Sequence, residues 1–128
     1  MPQPDYLTEP QYEALRRSLA PFARLLERVD VFGSRARGTH RPGSDIDLVV
    51  AGPVQLEDLL RIAVALDESS LSIFADVTRY SEHLSPEFAA EIARDARTLF
   101  TREELLAAQA EPAPSRSYRH WWDALDED

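Results

Sequence analysis

The alternation of hydrophobic and polar positions at the start of the chain predicts a helix over residues 9–28. Apolar residues recur there every three or four positions, which is the spacing of a single helical face. The residues of this face are Tyr12, Leu15, Leu19, Phe22 and Leu26. Thr8 and Gln11 have the spacing of a capping box at the start of the helix, and Pro21 predicts a kink.

Two short apolar runs, residues 29–32 and 46–51, predict neighbouring strands. The first run ends at Gly33-Ser34 and the second is stopped by Gly52-Pro53. The polar stretch 35–44 between them predicts a loop with room for one helical turn.

The pattern then predicts a helix over 54–68, a strand over 71–80 and a helix from Ser85 through Leu99. The apolar face predicted for the first of these helices is Leu56, Leu60, Ala63 and Leu66. A second capping box, Thr101 with Glu104, begins a short final helix. The order of elements predicts an α/β (α+β) fold in which helices flank a small mixed β-sheet.

The length of 128 residues suits one domain. We assign residues 1–111 to that domain and residues 112–128 to an aromatic and acidic tail that follows a proline-rich break. Tyr118, Trp121 and Trp122 in the tail either contact a partner or fold back over the core of the domain.

Composition excludes several classes of function. The 23 acidic residues outnumber the 14 basic ones, so the net charge is −9, opposite in sign to that of a free nucleic-acid binder. The absence of cysteine excludes disulfides, zinc–thiolate sites and a cysteine nucleophile. No apolar run approaches the ~20 residues of a membrane span and no signal-peptide pattern opens the chain, so we expect a cytoplasmic protein that is not bound to a membrane.

Every basic residue is arginine, so no lysine is available as a nucleophile or in a P-loop. The charge is also uneven, with +2 over residues 1–44 and −11 over residues 45–128. Because the chain has no lysine, arginine side chains must bind any anionic ligand. The planar guanidinium group of arginine suits phosphate and carboxylate.

Asp45 and Asp47 lie two positions apart on a predicted strand, so they project from the same face about 7 Å apart. Two neighbouring carboxylates repel each other, and a hard cation such as Mg²⁺ relieves that repulsion. The alternative is a pair of acids facing solvent, which is the commoner outcome for an isolated Asp-x-Asp.

Gly33 and Ser34 end the preceding strand at a turn, where glycine lets a phosphate approach the backbone and serine offers a hydroxyl donor. Arg35, Arg37 and Arg41 follow within eight residues and could supply guanidinium groups to the same anion. Together with the two acids, this segment indicates a nucleoside triphosphate with bound Mg²⁺. The alternative is a turn with solvated arginines.

A third carboxylate would complete a two-metal site, and Asp76 in the predicted strand 71–80 is the candidate. The alternative is an acid on an edge strand or one paired with an arginine.

The string from Phe32 to Gly38, together with Asp45-Ile46-Asp47 and the later Asp76, resembles the nucleotidyltransferase superfamily that includes DNA polymerase β. The fuller string, residues 32–38 with 44–48, is similar to the minimal nucleotidyltransferases, the MNT antitoxins of prokaryotes. The matching motifs span residues 29–80.

This resemblance implies a role for each motif residue. Gly33 and Ser34 would hold the triphosphate of ATP. Asp45 and Asp47 would ligate two Mg²⁺ ions and, through these ions, bind the phosphate oxygens. Asp76 would ligate the catalytic metal and act as base toward the acceptor hydroxyl. Arg37 is a further phosphate contact, and Arg35 remains a phosphate-binding candidate on its position alone.

The resemblance also implies a function, an antitoxin that transfers AMP from ATP to a tyrosine of a HEPN-type toxin, in a hetero-oligomer. One alternative is transfer to a small molecule of the aminoglycoside kind by a dimer. The other is a non-catalytic antitoxin that blocks its toxin sterically. Direct DNA binding is not expected, because the chain has no room for the extra domains of template-directed polymerases.

Overall fold

The computed structural model describes residues 4–111, so the predicted tail with Tyr118, Trp121 and Trp122 lies outside the described residues. The elements in chain order are α1 (Glu9–Leu19), a 3₁₀ helix (Ala20–Leu25), β1 (Arg28–Phe32), α2 (Gly33–Arg37), β2 (Ile46–Ala51), α3 (Leu56–Asp67), β3 (Ala75–Arg79), α4 (Pro86–Asp95), β4 (Arg97–Thr101) and α5 (Arg102–Ala110). The predicted capping boxes at Thr8 and Thr101 are both present. The 3₁₀ segment begins beside Pro21, where a kink was predicted. No helix within residues 4–111 is long and apolar enough to cross a membrane.

The four strands form one mixed sheet in the order β3-β2-β1-β4. β1 pairs antiparallel with both β2 and β4, whereas β2 and β3 run parallel. The mixed sheet and its flanking helices confirm the predicted fold class. Phe32 pairs with Asp47 and Asp47 pairs with Asp76, so adjacent strands carry the residues of the predicted site side by side.

The prediction that the helix beginning at Ser85 continues through Leu99 is wrong. α4 ends at Asp95, Ala96 adopts an extended conformation with ψ 133°, and the next residues form β4. β4 buries Leu99 and Phe100 and pairs with the second edge of β1. Helical spacing of the apolar residues could not reveal this strand, because its partner lies about 70 residues earlier in the sequence.

The face predicted for α3 is also largely wrong. Leu66 is buried as expected, but Leu56 and Leu60 are each 61% exposed and Ala63 is exposed. Ile62 is fully buried instead. The side of α3 that packs on the sheet is therefore rotated about the helix axis from the predicted side.

The sheet separates two hydrophobic clusters of different size. Alternate residues of β2 (Ile46, Leu48 and Val50) join the larger cluster, which also receives buried side chains from α1, α3 and α5. Val49 points to the other face and packs with Ile92 of α4 in a small cluster. Side chains alternate along a strand, so Asp47 lies on the same face as Val49, toward α4.

Candidate active site

β1 passes into α2 at Gly33 with no intervening loop. Gly33 has a φ of +76°, and a Cβ at this position would lie 2.6 Å from Oδ2 of Asp47. Any other residue would be strained and would collide with the carboxylate. The glycine therefore allows the turn that carries Ser34 to lie directly against Asp47.

Pairing between parallel strands places two predicted acids side by side. Asp47 on β2 is in register with Asp76 on β3. Asp45 lies just before β2, where the next amide, that of Ile46, donates a hydrogen bond to the carbonyl of Phe74 at 2.9 Å. The structure thus brings Asp45, Asp47 and Asp76 to one end of two neighbouring strands, beside the Gly33 turn.

The electrostatic environment of Asp47 reflects this crowding. Its pKa is raised, first by partial burial and then by the charges of Asp76, Asp45 and Glu91, while Arg37 acts in the opposite direction. A carboxylate surrounded by other carboxylates favours a cation that would neutralise the group.

Arg37 reaches this region from α2 and is tied to α4. Its Nη1 donates to Oδ2 of Asp95 at 2.6 Å, and its side chain remains 40% exposed. Asp95 is buried and also accepts hydrogen bonds from Arg94, and the two arginines hold the pKa of Asp95 at about 2, with Arg94 the larger cause. Arg37 is therefore held at the rim of the site with part of its guanidinium open to solvent.

Arg35, two residues earlier, has a different environment. It is only 3% exposed, and its guanidinium donates to the carbonyls of Tyr6 at 2.7 Å, Pro42 at 3.0 Å and Ser44 at 2.8 Å. These bonds fix the loop that leads into Asp45. The predicted contact of Arg35 with phosphate stays a prediction, since the guanidinium is turned inward to the loop.

Only some of the acids on this side of the sheet have cationic partners. Asp30 is paired with Arg28, and Asp95 with two arginines. Within residues 4–111, no arginine forms an ion pair with any of the three predicted acids at the ends of β2 and β3. Their oxygens are hard donors of the kind that Mg²⁺ prefers. No three acidic or histidine side chains of the described part converge into a closed metal-binding cluster by themselves.

Residues 23–105 match the model of the polymerase beta nucleotidyltransferase family. The chain belongs to this family. The matched segment contains the whole site described above, from the Gly33 turn through Asp76. No curated protein matches the chain significantly.

Three solved structures share the fold of this nucleotidyltransferase. A toxin–antitoxin structure with AMP-PNP is 19% identical, with coverage of 77% of this chain and 80% of that chain and a TM-score of 0.57. A double Asp→Glu variant of the toxin–antitoxin pair MntA–HpeT is 17% identical over 77% of this chain and 80% of that chain, with a TM-score of 0.56. A Tyr→Ala variant of the same pair is 21% identical over 80% of each chain, with a TM-score of 0.54. At these identities, the likeness establishes the fold.

Two residues of the nucleotidyltransferase site could not be found by sequence reasoning. Asp95 and Glu91 lie one turn apart on α4, more than 40 residues after the motif of Asp45 and Asp47. Their spacing is that of any helical surface. Only the packing of α4 against α2 and β1 brings them to the site.

Proposed function

We propose that this chain is a Mg²⁺-dependent nucleotidyltransferase that transfers AMP from ATP to a tyrosine hydroxyl of a partner toxin of the HEPN type. It would thereby act as an antitoxin. The observation that carries the proposal is the row formed by Gly33 directly after β1, Asp47 on β2 and Asp76 on β3, in which the glycine leaves no room for a Cβ beside the carboxylate of Asp47.

The residues in and beside this row have distinct proposed roles. Ser34 and the open part of the Arg37 guanidinium bind the β- and γ-phosphates. Asp45, Asp47 and Asp76 would hold Mg²⁺, and the bound ion would neutralise charge on the phosphates and favour ionisation of the acceptor hydroxyl.

The acceptor oxygen forms a bond to the α-phosphorus, and the bond from that phosphorus to the bridging oxygen of the β-phosphate breaks. Pyrophosphate leaves, and the hydroxyl proton passes to the carboxylate of Asp76. Positioning and charge neutralisation supply most of the rate in such reactions.

Two observations support a protein partner. The solved structures with the same fold include toxin–antitoxin pairs, one with AMP-PNP. The net charge of −9 also suits a basic partner, such as an enzyme that binds RNA. The HEPN type of toxin and the tyrosine acceptor rest on the resemblance of the motif to MNT antitoxins.

The test is label transfer from ATP labelled at the α-phosphate, with Mg²⁺ and the product of the neighbouring gene. We expect label on that protein with the wild-type chain and none with the double variant Asp45→Asn, Asp47→Asn. Asp5→Asn, an exposed acid outside the site, is the matched control. Equal labelling by the double variant would contradict the mechanism.

The alternatives give different outcomes. A tight complex without label on any protein would favour steric inhibition of the toxin. Label on an aminoglycoside, with none on protein, would favour small-molecule transfer.

A further inference from the structure

The strand order gives the proposed reaction a direction across the sheet. Ser34 follows β1, Asp47 lies on β2 and Asp76 lies on β3, in that spatial order. In phosphoryl transfer, the attacking and leaving oxygens lie roughly in line on opposite sides of phosphorus. With pyrophosphate on the Ser34 side, the acceptor must approach from beyond β3. β3 is an edge strand of the described sheet, so this approach is open.

A cleft of about 360 Å³ lies at that edge, between α3 and the chain entering β3, and Asp76 is part of its wall. Apolar side chains, among them Ala63, Leu71 and Phe74, share the rest of the lining with the polar side chains of Asp67 and Ser72. Phe74 is 60% exposed although it is large and aromatic. The volume is near the lower end of those of small-ligand sites, a size suited to a single aromatic side chain.

An exposed apolar stripe on α3 leads into this cleft. Leu56, Leu60 and Ala63 are spaced four and three residues apart, so they lie on one side of the helix, and Ala63 also lines the cleft. The two leucines are each 61% exposed. Large exposed side chains that form a continuous patch mark interaction surfaces more often than isolated ones do.

The charges around this stripe indicate the chemistry of its partner. Glu57 and Asp67 are exposed on α3 and Glu68 directly follows the helix, whose single basic residue is Arg61. A second copy of the chain would place acids against acids, whereas a basic protein segment would complement them.

We propose that the α3 stripe and the adjoining cleft form the acceptor-docking surface. A basic segment of a partner protein packs its apolar side chains on Leu56 and Leu60. It places a tyrosine ring against Phe74, with the phenol oxygen beside Asp76. This inference rests on the proposed function, in which ATP supplies the AMP, pyrophosphate leaves and Asp76 accepts the phenol proton.

The lining also discriminates between acceptors. A phenol ring buries apolar surface against Phe74 and Leu71 and leaves only its hydroxyl at the carboxylate. A polycationic aminoglycoside could pair its ammonium groups with Asp67 and Asp76, but its many hydroxyl and ammonium groups would bury little apolar surface against Phe74 and Leu71.

The test compares three variants in complex formation, ATP binding and label transfer to the neighbouring-gene protein. Leu60→Glu is expected to weaken the complex about tenfold and to raise KM for the protein with kcat retained. Phe74→Ala is expected to lower kcat/KM for the protein about tenfold, and Phe74→Tyr to restore most of it. Leu106→Glu changes an exposed leucine on α5 and is the control, expected to match the wild type. All variants should bind Mg²⁺-ATP as the wild type does.

Wild-type transfer and affinity in both Leu60→Glu and Phe74→Ala would overturn the docking surface, even with a working enzyme. So would label on an aminoglycoside instead of the protein. Failure of the proposed function has a separate signature, in which the Asp45→Asn, Asp47→Asn variant transfers as well as the wild type. In that case complex formation still decides the docking surface, because Leu60→Glu must weaken the complex and Leu106→Glu must not.

Discussion

The two faces of the sheet have opposite characters, and β2 contributes to both. Toward α1 and α3, Ile46, Leu48 and Val50 are buried in a continuous apolar cluster. Toward α4, the same strand presents Asp47 and Val49, and only the valine joins a small cluster. One face supplies most of the burial that stabilises the fold, so the other can keep unpaired acids and a glycine in the left-handed region.

Charge pairing within the α4 face sharpens the contrast. Asp30 accepts hydrogen bonds from Arg28 and from the hydroxyl of Tyr80, and Asp95 accepts from Arg37 and Arg94. These buried acids are satisfied by the protein. The three acids at the ends of β2 and β3 have no such arginine in the described part of the chain, which distinguishes a binding site from a structural ion pair.

On the α4 face, the largest expected effect of a substitution is a loss of transfer activity with stability retained. Asp47→Asn removes a proposed metal ligand and should lower label transfer about 10³-fold. Because the substitution also relieves repulsion from neighbouring acids, the melting temperature should stay the same or rise. A large fall in melting temperature would mean that this face carries the fold as well.

The largest effect expected on the opposite face is on stability. Phe100 is fully buried in the larger cluster, so Phe100→Ala should lower the free energy of unfolding by about 3–5 kcal/mol. Phe88, half-buried beside Phe32 in the small cluster, should cost about 1 kcal/mol when changed to alanine. Urea denaturation of the two variants measures the difference. Equal losses in the free energy of unfolding would contradict the conclusion that the face toward α1 and α3 supplies most of the stability.

Arg35 and Arg37, both on α2, test the contrast between a residue that stabilises the fold and one that serves the proposed site. Arg35→Ala removes the donors to the partly buried carbonyls of Tyr6 and Ser44 and should lower the free energy of unfolding by about 3 kcal/mol. Arg37→Ala should cost about 1 kcal/mol, since Arg94 still pairs with Asp95, yet it should raise the KM for ATP. The same assays, unfolding and transfer, show whether the two arginines separate in this way.

A smaller change in stability is expected for Gly33→Ala. The alanine must adopt a positive φ at a cost of about 1–2 kcal/mol, and its Cβ would push the carboxylate of Asp47 aside. Activity should therefore fall more than stability does. Gly38→Ala, also at positive φ but with no atom within 4 Å of the added Cβ, is the control for backbone strain alone.

The last prediction concerns the pH dependence of stability on the α4 face. The pKa of Asp95 is lowered to about 2 by Arg94 and Arg37, against about 3.9 in an unfolded chain. The stabilisation is therefore present above pH 4 and is lost as the pH falls toward 2. Asp95→Asn should lose less stability than the wild type over this interval in acid titrations, and an identical pH profile would contradict the assignment.

Much of the site was predictable because its residues are close in sequence. Gly33, Ser34, Asp45 and Asp47 lie within 15 positions, and strand periodicity is enough to place the two acids on one face. The sequence could not distinguish Arg35 from Arg37, because whether an arginine turns inward depends on the carbonyls it meets after folding. Nor could it reveal β4 or the exposed side of α3, since both depend on which surface a distant strand presents.

The sequence by itself determined the element types of most of the chain, the family motif and the residues capable of holding a nucleotide and a metal. All three depend on the spacing of residues that are close together in the sequence. The tertiary structure alone decided the register of Asp76 beside Asp47, the pairing of Arg37 with Asp95 and the apolar cleft next to Asp76. Each of these joins segments far apart in the chain, and such contacts form only where burial of the sheet's apolar face fixes how the elements pack.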